Sequence, residues 1–311
     1  MIEWDRLRVF AAVAEHGSVG DAAAALHITG PAVTQQLRKL ERQTGHRLVE
    51  PDGRGIRLTA AGHVLAGYAA SVATSVADAG RDLAALRDEA VGPLRVGAVA
   101  SALRALLPGA LRDMAADHPR LVPTVRDGEV VDLLPALRSR DLDAVLLESW
   151  DDLPARIPPG VRMHRVATEE ALVAVPAGHE RAGSARADLR ALDGQVWVSC
   201  PSGTEAHEAL VQVLRERGVE PDVRYRAADF TTHLRLVAAG LALAMVPRGA
   251  LDPVPDGVVV LQCDPPVRRT LAVAFRENDD TPGRRAFRDA VVRAARDRGW
   301  SRGRDAVPTP A

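Results

Sequence analysis

The sequence predicts an α/β protein with three parts: a small helical domain, one long helix, and a larger domain in which strands alternate with helices. Three observations support this. Capped helical segments occupy the first 45 residues or so, apolar residues then repeat at helical spacing from residue 65 to residue 86, and short apolar strands begin at residue 94. The 311 residues are enough for two or three domains with proper cores.

A short helix is predicted from residue 18 to residue 26. Ser18 followed three positions later by Asp21 is typical of a helix N-terminus, where the helix dipole favours an acidic residue. Small apolar side chains at Ala22, Ala25 and Leu26 should form a face that lets another helix approach closely.

A second helix follows from residue 30 to residue 40, after a break at residues 27–29. Thr29 is placed to cap it, and Pro31 falls in the first turn, where a missing N–H costs nothing. The side chains expected to face the core are Val33, Leu37 and Leu40. The opposite face carries groups suited to phosphates and base edges, namely Pro31, Thr34, Gln35 and Arg38. Two short helices joined by a tight turn are the arrangement that inserts one helix into the DNA major groove.

A hairpin is predicted next, because residues 48–49 and 56–58 flank the turn-rich segment 51–55. Arg54 at its tip is placed to reach a backbone phosphate or the minor groove. The residues that precede the two helices form one stripe of a further helix, with Leu7, Phe10, Val13 and Ala14. Together these elements predict a winged helix-turn-helix DNA-binding domain over residues 1–60. A generic helical bundle is the alternative, but it leaves the hairpin and the small-residue helix unexplained.

The charge of the chain gives no general signal for nucleic acid. It has 40 basic and 41 acidic residues, and a formal net charge of −1. Residues 1–60 contain eight basic and seven acidic residues. DNA affinity must therefore come from the local placement of Arg38, Lys39 and Arg54, and from joining several domains in an oligomer.

The first 62 residues closely resemble the LysR-type transcriptional regulators. The matching positions are Leu7-Arg8-Val9-Phe10, Val13-Ala14-Glu15, Gly17-Ser18, Ala22-Ala23, Leu26, Ile28, Pro31-Ala32-Val33-Thr34, Gln36-Leu37, Leu40-Glu41, Gly45, Arg47-Leu48, Arg57-Leu58-Thr59 and Gly62. Two positions depart from the family pattern: Gly30 stands where a glutamine is frequent, and Gln35 where an arginine is frequent. The resemblance therefore implies the mode of docking on DNA, but not the bases that are preferred.

Residues 61–90 predict a linker and dimerisation helix, with Thr59 as its cap. Its apolar stripe is typical of a helix that pairs with another helix. The expected contacts are Leu65, Tyr68, Val72, Val76 and Leu83. A helix of roughly 40 Å, at 1.5 Å per residue, is too long for a domain of ~60 residues to cover. Pairing with a second copy would present two DNA-reading helices to a dyad-symmetric site. The alternative is that the stripe lies on its own domain.

From residue 91 to residue 300 the alternation of strands and helices predicts a domain with parallel strands. The segments 133–145 and 234–247 are again similar to LysR-type proteins. The order of elements resembles a periplasmic-type binding protein, which implies lobe I over 91–167 and 265–300, lobe II over 168–264, and a small effector in the cleft between them. Residues 301–311 are expected to form a disordered tail.

Ligands in open α/β sheets bind at strand ends, and this predicts the residues that line the cleft. The candidates for effector binding are Ala100, Ser101, Ala102, Gly128, Glu148, Ser202, Thr204 and Phe230. Two helix N-termini with Ser or Thr favour an anion such as a carboxylate, although each of these residues can also be an ordinary helix cap. If Glu148 and Asp229 face inward, the ligand should also carry an amine or another cation.

The sequence leaves three alternatives to this interpretation. An enzyme is disfavoured because the nine histidines show no metal-binding spacing and no nucleophile–base motif occurs, so we predict no catalytic residue, cofactor or metal site. Redox sensing through Cys200 is a further alternative, with Cys263 63 residues away, but a buried thiol is simpler. A plain solute-binding protein conflicts with residues 1–60 and with the lack of a signal peptide.

The expected function is therefore that of a ligand-responsive, DNA-binding transcriptional regulator. Its expected partners are double-stranded DNA, a small effector and a second copy of the chain, and the resemblance extends the dimer to a tetramer. RNA polymerase is a further candidate partner. With two cysteines, no apolar stretch of about 18 residues and no signal peptide, we expect a cytoplasmic protein without membrane contact.

Overall fold

The computed structural model describes residues 2–53, 55–85, 87–277 and 279–300. The chain divides into two compact units, Met1–Leu83 and Ala84–Ala311. Arg54, which was predicted to contact DNA, lies outside the described residues, as do Leu86 and the tail at 301–311.

The first unit contains four helices and a two-stranded hairpin among its described residues. They are α1 (Trp4–His16), α2 (Val19–Ala25), α3 (Gly30–Thr44), β1 (Val49–Asp52), β2 (Gly55–Leu58) and α4 (Ala60–Ala85). This is the predicted winged helix-turn-helix followed by one long helix. The core is formed by the buried faces of α1 and α3, with Phe10, Val13, Val33 and Leu40 completely enclosed.

The caps that the sequence predicted are present. The Ser18 hydroxyl accepts a hydrogen bond from the backbone N–H of Asp21 at 3.0 Å, and Thr29 accepts one from Ala32 at 3.4 Å. The predicted apolar face of α2 was partly wrong, because Ala22 and Ala23 are buried whereas Ala25 is exposed. The orientation of the helix brings the adjacent residues Ala22 and Ala23 against α1 and α3, instead of Ala22 and Ala25.

The hairpin is fixed to the helices by close backbone contacts. Its strands pair in antiparallel register from Val49–Leu58 to Asp52–Gly55. The N–H of Ile56 donates to the carbonyl of Gly17 at 3.0 Å, and the carboxylate of Glu41 accepts from the N–H of Leu48 at 2.9 Å. A Cβ at Gly62 would lie 2.1 Å from the carbonyl oxygen of Leu48, so only glycine lets α4 start this close to the hairpin.

The second unit alternates strands and helices. They are β3 (Gly92–Ala98), α5 (Ala100–Asp117), β4 (Leu121–Asp127), α6 (Val130–Arg138), β5 (Ala144–Trp150), β6 (Val161–Pro176), β7 (Arg186–Asp188), β8 (Val196–Ser199), α7 (Glu205–Glu216), β9 (Asp222–Arg226), α8 (Phe230–Ala238), β10 (Leu243–Pro247), β11 (Val258–Arg276) and α9 (Pro282–Asp297). Short 3₁₀ turns lie at Leu189–Leu192 and Arg248–Ala250.

The strands form one mixed sheet in the order β4-β3-β5-β11-β6-β10-β8-β9, with β7 beside β11. The expectation of parallel strands holds only within each end of this sheet. The strands β4, β3 and β5 are parallel, as are β10, β8 and β9. The long strand β11 is antiparallel to β5 and β6, and β6 is also antiparallel to β10, whereas the short β7 pairs in parallel with β11. The sequence missed this because the two long strands carry the chain between the lobes and are shared by both.

Two hydrophobic cores lie at the two ends of the sheet. The first, in lobe I, is built around α5, α6 and α9, and the second, in lobe II, around α7 and α8. The cores meet along β6 between Ala167 and Ala171, and along β11 between Val267 and Leu271. The two crossing strands pair with each other from Val258–Pro176 to Arg276–Val161. These two strands therefore connect lobe I to lobe II.

A buried carboxylate holds lobe I together. Asp143, which is fully buried just before β5, accepts hydrogen bonds from the backbone N–H, Nε and Nη2 of Arg95, all at 2.9 Å. The guanidinium of Arg284 from α9 also reaches it, with Nη2 3.3 Å from the Asp143 carboxylate and Nε 3.0 Å from its carbonyl. One carboxylate thus ties β3 and α9 to the start of β5.

We expect Asp143→Ala to lower the free energy of unfolding by about 3–5 kcal/mol, because it removes the fully buried carboxylate that pairs with both Arg95 and Arg284. Urea unfolding followed by circular dichroism measures this loss. The matched change at the exposed Asp256 should cost no more than about 0.5 kcal/mol. Equal stability of the two variants would contradict the role assigned to Asp143.

Candidate nucleic-acid interface and effector cleft

The helix α3 separates its side chains into a core face and an outer face. Val33, Leu37 and Leu40 are buried, as predicted, whereas Pro31, Gln35 and Arg38 are exposed. The helix is capped at its start by Thr29 and ended by Gly45, which adopts a φ of +71°. The outer face is therefore rigidly presented by a helix whose other side is anchored in the core.

A groove of about 940 Å³ runs along this outer face. It brings together four predicted residues, Pro31, Thr34, Gln35 and Arg38, with Arg42, His46 and Arg47, among others. The sequence interpretation missed these last three. Arg42 could have been found, since it lies one helical turn after Arg38 and so on the same face. His46 and Arg47 follow the helix, and only the fold brings them to the groove.

Two predicted DNA contacts lie away from this groove. Lys39 is half-buried on the flank of α3, and Thr29 uses its hydroxyl oxygen for the helix cap. Thr34 lines the groove, but its hydroxyl donates to the carbonyl of Gly30 at 3.1 Å. It therefore offers a lone pair and a methyl group to a partner rather than a free donor.

The helix α4 exposes apolar side chains along one side. Tyr68 is 69% exposed and Leu83 is 66% exposed, and Val72 and Val76 are exposed as well. Val64, which was not predicted, joins them at 65%. Leu65 differs from the other predicted contacts because it packs against the core of its own unit with Phe10 and Leu40. Leu65 therefore follows the alternative expectation, in which the apolar stripe packs on its own domain.

Between the lobes lies a narrow cavity of about 20 Å³, the space of about one water molecule. Four of the predicted effector residues line it: Ala100, Ser101, Glu148 and Phe230. Asp229 lines it too, and so do Arg104, Glu129 and Cys200. Its mouth is bridged by Arg104 of lobe I, whose Nη1 donates to the Thr231 hydroxyl of lobe II at 2.6 Å.

Two residues of this cavity, Ser101 and Glu148, belong to a buried ion-pair network. Arg269 on β11 is fully buried and donates to Glu148 on β5 at 2.5 Å and to Glu169 on β6 at 2.8 Å. Its Nη1 also donates to the Ser101 hydroxyl oxygen at 2.8 Å, and Glu169 in turn accepts from the N–H of Gly249. Glu148 and Ser101 are therefore already engaged within the protein.

The other predicted effector residues lie elsewhere. Ala102 is fully buried in the lobe I core, and Gly128 lies against Leu133. Ser202 is exposed and accepts a hydrogen bond from Arg226 at 3.2 Å. Thr204 caps α7, accepting from the N–H of His207 at 3.3 Å, and it lines a different cavity.

That second cavity has a volume of about 520 Å³. It lies between α6 and the segment 153–158 on one side, and the beginning of α7 on the other. Its lining is largely apolar, with charged side chains contributed from both sides. We call it the α6–α7 groove.

Burial and neighbouring charge shift several pKa values around the narrow cavity. Burial, with the carboxylates of Glu148 and Glu205, raises the pKa of Glu129 to about 7. Burial also raises the pKa of Glu205, with Glu148 adding to the effect. The pKa of the Cys200 thiol is raised by burial and by Glu148, and burial raises that of Cys263 to about 12. Both cysteines therefore stay protonated near neutral pH.

In the described ranges no group of three or more His, Cys, Asp or Glu side chains is arranged to hold a metal ion. None of the helices in the part of the chain that the structure describes is long and apolar enough to cross a membrane.

A winged helix-turn-helix unit with a polar outer helix face, followed by a two-lobed α/β unit, defines a DNA-binding transcriptional regulator with a sensor domain. The match to known families agrees. Residues 4–63 match the bacterial regulatory helix-turn-helix protein, lysR family, and residues 87–296 match the LysR substrate binding domain. The chain belongs to the LysR family of transcriptional regulators.

Individual relatives are similar over most of the chain. The DNA-binding transcriptional dual regulator OxyR of Escherichia coli K12 is 28% identical, over 94% of this chain and 95% of its own length. A probable hydrogen peroxide-inducible genes activator of Mycobacterium avium is 31% identical, over 79% of this chain and 78% of its own.

Solved structures show the same architecture. A cysteine mutant of OxyR from Corynebacterium glutamicum is 26% identical and has a TM-score of 0.66, covering 95% of this chain and 93% of that one. Full-length CbnR in complex with its target DNA has a TM-score of 0.68 and 24% identity, covering 94% of this chain and all of that one. The second similarity establishes the fold alone.

Glu129 should make the stability of the protein depend on pH. Its pKa of about 7 lies above the ordinary value of 4.5, so the folded chain binds this proton more tightly than the unfolded chain does. Its contribution to stability is therefore complete below pH 4.5 and is lost as the pH rises to about 7. We expect Glu129→Gln to make the fall in melting temperature across this range shallower than in the unmodified protein.

The control for this measurement is Glu180→Gln, at an exposed carboxylate outside the cavity. It should leave the pH dependence as it is. An identical pH profile for Glu129→Gln and the unmodified protein would show that Glu129 titrates normally.

Proposed function

We propose that this LysR-family regulator binds dyad-symmetric promoter sites as an oligomer and responds to a small effector held between its two lobes. The observation that carries the DNA-binding part is the groove on α3, where Gln35, Arg38 and Arg42 line one solvent-facing surface while the opposite face is buried. This is the geometry needed for a helix that enters the major groove.

Each side chain in this groove has a distinct proposed role. Arg38, Arg42 and Arg47 carry positive charge suited to backbone phosphates. Gln35 can form paired hydrogen bonds with a base edge, a role for which its amide has both donor and acceptor atoms. Arg54 at the hairpin tip is a further proposed contact, on the basis of sequence alone.

Dimerisation through α4 is proposed from its exposed apolar side. Val64, Tyr68, Val72, Val76 and Leu83 recur along the helix at intervals of four or seven residues. A second copy of the same helix is the proposed occupant, since self-pairing places two α3 helices on one duplex. Assembly of dimers into a tetramer through the second unit is proposed from the family resemblance, and RNA polymerase remains a candidate partner.

The α3 interface predicts how Arg38→Ala will behave. The variant should bind every DNA sequence more weakly, and the slope of log affinity against log salt should become shallower by about 0.9, the value of one lost phosphate contact. Fluorescence anisotropy with a promoter fragment from beside the gene, measured at several salt concentrations, tests this. Arg235→Ala, at an exposed position of α8, is the matched control and should change neither quantity. An unchanged salt slope for Arg38→Ala would exclude a phosphate contact by Arg38.

A redox signal is the second candidate, because several relatives are named as hydrogen peroxide-inducible genes activators. The thiols of this chain argue against it. A cysteine that reacts with peroxide has to form a thiolate and be accessible, whereas Cys200 is 4% exposed and Cys263 is 3% exposed, both with raised pKa values. We therefore favour a bound effector over oxidation.

The thiols give a direct test of this preference. In the folded protein both cysteines should react with Ellman's reagent far more slowly than in the urea-unfolded protein, because burial keeps them protonated and inaccessible. Cys200→Ser should change neither DNA affinity nor its response to hydrogen peroxide. A rapid reaction of one thiol in the folded protein, together with a peroxide response that Cys200→Ser removes, would favour the redox alternative.

A further inference from the structure

The α6–α7 groove has the size and surface of a small-molecule site. Its volume of about 520 Å³ falls in the usual range for such sites, and the narrow cavity nearby does not. Its apolar lining includes Val130, Leu134 and Pro135 of α6 together with Leu153 and Pro154. An apolar part of a ligand of about the size of a leucine or phenylalanine side chain would be removed from water there.

The two sides of the groove carry opposite charges. Arg138 and Arg156, on the lobe I side, are exposed, and within the described ranges neither makes a hydrogen bond or an ion pair. Glu205 and Glu208, at the start of α7, lie on the lobe II side. A ligand in the groove therefore has two guanidinium groups and two carboxyl groups among its neighbours.

Glu205 carries a buried oxygen atom that the described residues leave without a donor. Its Oε2 atom is buried and has no hydrogen-bond partner in the described part of the chain. Glu208 differs, since its Oε1 accepts from the N–H of Gly203 at 3.1 Å. A buried carboxyl oxygen without a donor costs free energy, and a donor on a ligand would remove that cost.

We infer that the α6–α7 groove binds a zwitterion of the amino-acid type with an apolar side chain. The ammonium group donates to Glu205, the carboxylate pairs with Arg138 and Arg156, and the side chain packs on the apolar floor. This inference rests on the proposed function in one respect: it identifies the effector of the proposed regulator. DNA binding through α3 does not depend on it.

A ligand with a single charge fits the groove less well. A simple carboxylate leaves the buried oxygen of Glu205 without a donor, and a simple amine leaves both arginines without a counter-charge. Burial raises the pKa of Glu205, and an adjacent ammonium would favour its ionised form and gain an ion pair with little exposure to solvent. Because α6 belongs to lobe I and α7 to lobe II, such a ligand joins the lobes and would favour one of their arrangements over others.

Isothermal titration calorimetry of the full-length protein tests the inference. The probes are L-leucine and L-phenylalanine, each compared with its analogues lacking one charge: 3-methylbutylamine and 4-methylpentanoate for leucine, and 2-phenylethylamine and 3-phenylpropanoate for phenylalanine. We expect at least one amino acid to bind, and its two analogues to bind at least about tenfold more weakly, the effect of losing one charged hydrogen bond.

Variants locate the site. Glu205→Gln and Arg156→Gln should each weaken the amino acid by about tenfold or more, while leaving the affinity for promoter DNA in the absence of amino acid unchanged. Glu180→Gln and Arg235→Gln, at exposed positions away from the groove, are the matched controls and should bind as the unmodified protein does. Circular dichroism checks that each variant is folded.

Three outcomes would overturn the inference: neither amino acid binds, a singly charged analogue binds as tightly, or both groove variants bind unchanged. Each of these leaves the proposed function standing if Arg38→Ala still lowers the affinity for DNA and its salt dependence. If Arg38→Ala instead leaves the affinity for DNA and its salt dependence unchanged while an amino acid still binds, the proposed function is contradicted and the groove assignment stands.

Discussion

The fully buried guanidinium of Arg269 is the interaction on which the sensor unit depends. Removing an arginine from water is very unfavourable unless its charge and donors are matched. Here Glu148 and Glu169 supply the charge, and the Ser101 hydroxyl accepts a further hydrogen bond. These partners come from β5, β6 and the beginning of α5, while Arg269 itself lies on β11. The network therefore fixes the two crossing strands to lobe I at the point where the chain passes into lobe II.

Two cavities between the lobes differ in how far their polar groups are satisfied. The narrow cavity has about the space of one water molecule, and two of its polar lining residues, Ser101 and Glu148, are engaged with Arg269. The α6–α7 groove has no such internal partners for Arg138, Arg156 or the buried oxygen of Glu205 within the described residues. The region around Arg269 therefore connects the lobes. The α6–α7 groove keeps unsatisfied polar groups beside an apolar surface. Unsatisfied groups of this kind are typical of a binding site.

The DNA-binding unit follows a simpler principle. The helix α3 has one apolar stripe, and burying Val33, Leu37 and Leu40 leaves only one orientation for Arg38 and Gln35. This is why the outer face, as well as the helix, could be predicted from the spacing of residues. Leu65 was harder to interpret, because the same heptad-like spacing serves a helix that packs on its own domain at one end and is exposed at the other.

The sequence by itself determined the order of the elements, the winged helix-turn-helix, the caps at Ser18 and Thr29, and the outward side of α3, because each of these depends on residues within one or two helical turns. Only the tertiary structure decided the rest. It made the central strands antiparallel, engaged Glu148 and Ser101 with Arg269, separated Thr204 from the narrow cavity, and brought Arg138, Arg156 and Glu205 to one groove. Such pairings join positions about 50 to 170 residues apart, and nothing in the local spacing of a single sequence records which distant charge a buried side chain will meet.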